Sequence, residues 1–138
     1  MAKSVRSKAK RLANDAFSLY IRTRSAIDTT GTTDYFVCCT CNARVPVRGN
    51  DCGHYIPGRG DTVLYDEHNA HGQCAKCNRY RSGMWVEYEA FIIAEYGDEE
   101  NERLKMLKKK TNKIPTAEFK EIQAVYKQKL KNLLEDYS

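Results

Sequence analysis

No stretch of this 138-residue sequence approaches the roughly 18–20 consecutive apolar residues that a membrane-spanning helix needs, so no membrane partner is expected. The N-terminus is positively charged but lacks the apolar segment of a secretory signal, so an intracellular protein is expected. Internal repeats and low-complexity segments are also missing, which leaves one domain with a helical extension as the simplest organisation. Acids are scarce at one end. Asp15 stands alone against seven Lys/Arg in the first 25 positions, whereas the remainder holds 16 basic and 17 acidic residues. The whole excess behind the net charge of +5 therefore sits on the N-terminal segment. A basic segment beside a neutral core points to a polyanion, with nucleic acid first in line.

Apolar residues make up 41% of the chain and charged residues 30%. That balance is slightly polar for a globule and suits a small core carrying long, solvent-exposed helices. Positions 4–25 predict a helix, with Val5, Ala9, Leu12, Ala16 and Tyr20 at spacings of three and four. Lys3, Arg6 and Lys10 share another face of it, with Arg11 nearby, and form the candidate DNA-backbone contacts together with Arg22 and Arg24. The polar run 28–34 is expected to end this helix. Positions 35–37 and 45–47 read as the strands of a hairpin, 52–56 and 62–66 as two further strands, and 70–81 as a helix. Beyond Trp85 three helices are expected, the first stopped by Gly97 and the last capped by Thr116. The Lys108-Lys109-Lys110 run suits the end of the middle helix, or a DNA-backbone contact.

In a reducing compartment six cysteines are metal ligands or buried thiols rather than disulfides. Cys38 with Cys41 and Cys74 with Cys77 have the two-residue gap that lets thiolates converge on one ion, with 32 residues between the pairs. Four thiolates make a closed, structural Zn2+ site. Cys39 competes with Cys38 for the role, and Cys52 is either a spare ligand or a small buried side chain.

His54 lies on the first strand of the central pair, Asn69 stands five positions before Cys74, and Asn78 directly follows Cys77. That arrangement resembles the HNH, or ββα-metal, nucleases. The resemblance implies an α+β fold with a zinc-stapled, treble-clef-like core over 31–84, a basic DNA-binding helix over 1–30 and a helical extension over 85–138. His54 and Asn69 are then the candidate catalytic set. A neutral imidazole can take a proton from water near neutrality, and an Asn amide can bridge two backbone segments to fix the His loop. Arg48 and Arg59, near His54 in sequence, are candidate backbone clamps.

The segments 15–24, 38–41, 53–55, 67–69, 73–78, 81–83 and 95–97 are similar to the phage NinG (Rap) recombination family, over nearly the whole chain. This implies a Mg2+- or Mn2+-dependent endonuclease in the host cytoplasm, acting on branched DNA such as Holliday junctions, D-loops and flaps. The Cys77-Asn78 ending also resembles phage endonuclease VII, which implies that Asn78 ligates the catalytic metal. Many such nucleases carry an acid directly before the His, but here that position is Gly53. Asp51, on the same strand face, is the candidate replacement; Glu67, His71, or water and phosphate are the alternatives. A non-catalytic zinc-stapled DNA-binding or adaptor protein is the competing expectation. Paired cuts at a four-way junction make a homodimer reasonable, with the last helix as its interface.

Overall fold

The computed structural model describes residues 2–58 and 60–138, with side chains from Val5 onward. Arg59 and the side chain of Lys3, both candidate DNA contacts, lie outside the described residues. Helix α1 (Ala2–Thr30) runs five residues beyond the expected end. Thr29 explains part of that extension: its hydroxyl donates to the Ser25 carbonyl (2.6 Å) and accepts the Val37 amide (2.9 Å). The polar threonines thus carry the helix on and hand it to the first strand. Ala9, Ala13, Phe17 and Ile21 are buried at a spacing of four, one stripe along the helix. The basic helix is therefore also the central packing element.

Strands β1 (Tyr35–Val37) and β2 (Arg44–Pro46) form the expected hairpin around the first cysteine pair. Strand β3 (Asp51–His54) pairs antiparallel with β4 (Ala70–Gln73), aligning Asp51 with Gln73 and His54 with Ala70. Here the structure differs from expectation. Residues 62–66 are not the partner strand but part of a tight turn, Asp61–Tyr65. Asp61 anchors that turn by accepting from Arg6 (2.7 Å), Lys10 (2.9 Å) and the Ile114 amide (2.8 Å). The true partner lies in the stretch expected to be helix, because all four residues of β4 are buried and no alternation marks it as a strand. The helical stretch that follows is only the wide turn Lys76–Tyr80.

Helices α2 (Trp85–Tyr96), α3 (Asp98–Leu107) and α4 (Thr116–Tyr137) complete the chain. Gly97 ends α2 at φ 94°, a left-handed region where an L side chain would be strained. Thr116 does not cap α4; Pro115 occupies that position, with no side-chain capping bond. Tyr55, Ile56, Val63, Tyr88, Ile92 and Leu104 form one core cluster. One face of α4, the helix expected to pair with a second copy, packs on α1, with Phe119 against Ala9 and Ala13, and Tyr126 against Phe17 and Ile21. Among the described residues no helix is long and apolar enough to cross a membrane.

Candidate metal centre and cleft

Four sulfurs meet where the two cysteine pairs converge. The Sγ atoms of Cys38, Cys41, Cys74 and Cys77 all lie within 4.8 Å of one another, and Cys41 and Cys74 are 3.8 Å apart. Tetrahedral zinc with Zn–S bonds of about 2.3 Å requires sulfurs about 3.8 Å apart, so the cluster fits a zinc ion. The electrostatics agree. Burial alone would raise the Cys38 thiol, but the Cys74 amide, the Thr40 hydroxyl and neighbouring amides outweigh it and pull the pKa down to about 6. Burial, the Cys77 side chain and the adjacent Cys38 charge push Cys74 up to about 12, and a bound cation would favour its thiolate. Cys39 is outside this set, and burial holds its thiol well above the ordinary range. Cys52 is also outside it and is likewise raised by burial, to about 12.

A cleft of about 470 Å³ opens between α1, the edge of β3 and the turn after Cys77. It brings His54, Asp51, Asn78, Arg22 and Arg79 to one surface. The His54 Nε2 lies 2.8 Å from the Leu64 carbonyl. A carbonyl only accepts, so Nε2 carries the proton and Nδ1 keeps its lone pair. Burial lowers the pKa of this imidazole, partly offset by the Leu64 bond, so the ring is neutral at neutral pH. Phe17 stacks against it, with ring centroids 6.2 Å apart. The structure therefore brings Asp51 and Asn78 into contact: Asn78 Nδ2 donates to Asp51 Oδ2 at 2.9 Å. Arg79 grips the same carboxylate with two bonds, at 2.9 and 2.7 Å. Burial would raise Asp51, but Arg79 and Asn78 more than offset it and hold the carboxyl below its usual range. Both Asp51 oxygens are thus engaged, so a cation binding here would have to displace the Arg79 grip.

Asn69 does not reach the cleft. It is fully buried, accepting from the Ile56 amide (2.8 Å) and donating to the Ile56 (3.0 Å) and Val63 (3.2 Å) carbonyls. It thereby ties the chain after β3 to the turn whose next carbonyl, Leu64, orients His54. Its part is positioning. The alternative acid ligands are engaged elsewhere. Glu67 accepts from Tyr126 and Lys129 and pairs with Arg24, while His71 sits buried between Tyr88 and Tyr96. Tyr88 gives its proton to the Gly53 carbonyl (2.7 Å), so His71 Nδ1–H donates to Tyr88 and Nε2 accepts from Tyr96. Burial drives the His71 pKa down to about 3, so it is a neutral structural histidine.

The candidate DNA contacts divide in two. Arg6 and Lys10 pair with Asp61, Arg6 also bonds the Ile114 carbonyl, and Arg24 serves the Glu67 and Ala70 carbonyls. Their charge is engaged inside the fold. Arg11 and Arg48 are exposed, while Arg22 lines the cleft and donates to the Val47 carbonyl (2.7 Å). Sequence reasoning missed Arg79, although it directly follows Asn78. It also missed Asn14 and Ser18, which reach the cleft from α1.

A family model described as Bacteriophage Lambda NinG protein matches residues 2–136. The protein ninG of Salmonella phage P22 is 35% identical over 89 residues, covering 64% of this chain and 43% of that protein. The proteins ninG of Escherichia phage 933W and Escherichia phage lambda are each 33% identical over 84 residues, covering 60% of this chain and 41% of theirs. The chain thus spans less than half the length of these curated relatives. No solved structure matches it.

Proposed function

Because the chain belongs to the bacteriophage lambda NinG protein family, we propose that it is a metal-dependent endonuclease of the HNH type acting on branched DNA. One observation carries the reading: a neutral, oriented His54 with a free Nδ1 lines the same cleft as the Asp51–Asn78 pair. His54 Nδ1 takes the proton of a water as its oxygen attacks the phosphorus, and the Leu64 carbonyl holds the ring and favours the imidazolium that forms. Asp51 and Asn78 are the residues that would hold Mg2+ or Mn2+, whose charge would offset that building on the phosphate and the leaving oxygen. Arg22 and Arg79 flank the cleft and can hold the phosphate on either side of the scissile bond. Zinc in the thiolate cluster supplies rigidity alone, since four thiolates leave no position for water or substrate. A second copy of the chain would supply the paired cut that a four-way junction requires.

The test incubates the protein with four-way junction, flap and linear duplex DNA, with and without Mg2+ or Mn2+, beside His54→Ala. Metal-dependent products from the wild type, lost in His54→Ala with zinc content and DNA binding retained, are expected. Undiminished cleavage by His54→Ala would sink the assignment. A second reading, a non-catalytic zinc-stapled DNA-binding protein, draws on the Arg79 grip on Asp51, which a divalent ion must displace. It expects junction binding with no products at any metal concentration.

A further inference from the structure

Trp85 is the single tryptophan of the chain, and 64% of it is exposed. It stands at the start of α2, on the rim of a second cavity of about 680 Å³. His54 and Asn78 line both this cavity and the cleft, so the two adjoin at the proposed reaction centre. Pro57 gives the cavity an apolar wall, and Lys105 and Lys108 lie at its edge. Lys105 is paired with Glu89 at 2.5 Å, whereas Lys108 is exposed and has no ion-pair partner among the described residues.

We infer that Trp85 is a stacking platform for an unpaired DNA base, with Lys108 meeting the adjoining phosphate; the inference rests on the nuclease reading and deepens it. An indole surface beside a cation is what single strands use, because every base offers a π-face and every nucleotide a phosphate. A strand lying in the cleft can extend into this cavity past His54 and Asn78, which border both. Within a duplex both faces of a base are covered by its neighbours. Trp85 can therefore stack only where pairing is interrupted, as at a flap or the crossing point of a junction. The cavity would then supply a preference for branched over linear DNA that the basic residues, which contact any phosphate backbone, cannot provide.

Because Trp85 is the only indole, its fluorescence reports the contact directly. The protein is titrated, with Mg2+ and Mn2+ omitted to stop hydrolysis and zinc left in the thiolate cluster, against flap DNA carrying unpaired bases and against linear duplex. The flap is expected to quench Trp85, and the duplex to bind without quenching. Trp85→Ala should weaken flap binding by roughly 5- to 100-fold while duplex affinity stays within about twofold, and Trp85→Phe should fall between. Lys108→Gln should lower the salt dependence of flap binding by about one counterion. Unchanged fluorescence at saturating flap DNA, or an equal loss of flap and duplex affinity in Trp85→Ala, would overturn the inference. Should Trp85→Ala not fold, Trp85→Phe and the wild-type quench decide alone. Quenching without Mg2+-dependent products would refute the nuclease and leave the platform standing; products from a wild type that is never quenched would do the reverse.

Discussion

Replacing Asn69 tests the link between the fold and the orientation of His54. Its amide makes three hydrogen bonds, all buried, to the Ile56 amide and carbonyl and to the Val63 carbonyl. Asn69→Ala strands these groups, each costing about 1–3 kcal/mol when unsatisfied. The Val63 carbonyl keeps a long contact with the Asp66 amide (3.5 Å), so the Ile56 pair dominates. A loss of about 3–5 kcal/mol follows, against a total of about 5–15 kcal/mol for a domain. At a urea slope of about 2 kcal/mol/M the midpoint falls by about 2 M with the slope unchanged, provided zinc is held constant. Asn69→Asp separates acceptor from donor. The carboxylate still accepts from Ile56 N–H but turns its other oxygen on two carbonyls. Its folded pKa must rise above the unfolded value of about 3.9. The protonated form's contribution is therefore complete below that unfolded value and lost as pH rises through the folded one. Asn69→Asp should outperform Asn69→Ala in acid and lose that advantage towards neutrality. Asn69→Ala within about 0.5 kcal/mol of wild type, or an Asp–Ala gap independent of pH, would refute the reasoning.

Two further outcomes follow from the same geometry. Burial lowers the His54 pKa from its ordinary 6.5, so cleavage should rise as His54 loses its proton, with its acid limb centred below pH 6.5 and a plateau through neutrality. A kcat/KM profile whose acid midpoint lies above 6.5 would remove His54 as the base. Metal analysis should find one zinc per chain, lost together with cooperative unfolding in Cys77→Ser but retained in Cys39→Ser, because Cys39 lies outside the sulfur cluster. Loss of zinc from Cys39→Ser would reassign the ligands.

The sequence made legible what depends on short spacings. The cysteine pairs, the β1–β2 hairpin and the Gly97 stop are all set by residues within a few positions of each other, whereas the buried stripe of α1 runs through Ala13, Phe17 and Ile21 rather than Leu12, Ala16 and Tyr20 and leaves Val5 exposed. The sequence misled where long-range contacts override local preference. Thr62, Val63, Leu64 and Tyr65 have the composition of a strand, yet Asp61 is pinned by Arg6, Lys10 and the Ile114 amide, more than fifty positions away on either side. Ala70 to Gln73 form a strand buried throughout, which carries no polar alternation to find. The same blindness affects charge. Arg6, Lys10 and Arg24 look like a DNA-facing row, but carbonyls and carboxylates distant in the chain already engage them. For the site, Asp51, His54 and Asn78, singled out from the sequence, line one cleft. The sequence could not show that Arg79 would join them, because that contact depends on how the turn at 76–80 lies against β3.

The glycine before His54 has a steric cause that also explains where the acid must come from. A Cβ at position 53 would lie 2.0 Å from Gln73 Oε1 and 2.8 Å from Gln73 Cβ. Gln73 cannot swing aside cheaply. Its Nε2 donates to the Thr40 hydroxyl (3.1 Å) and the Gly83 carbonyl (2.8 Å), tying the first cysteine pair to the turn that opens α2. Because a carbonyl needs an N–H, the amide orientation is fixed and Oε1 must face Gly53. That oxygen is buried without a hydrogen-bond partner among the described residues, so the Cα–H of Gly53 is the contact left to it. An acid at 53 and this amide at 73 therefore exclude one another. Asp51, directly opposite Gln73 in the register, is the next position on that face, and its carboxylate already meets Asn78. In the proposed nuclease site, an acid on this strand face can therefore stand at 51 but not at 53.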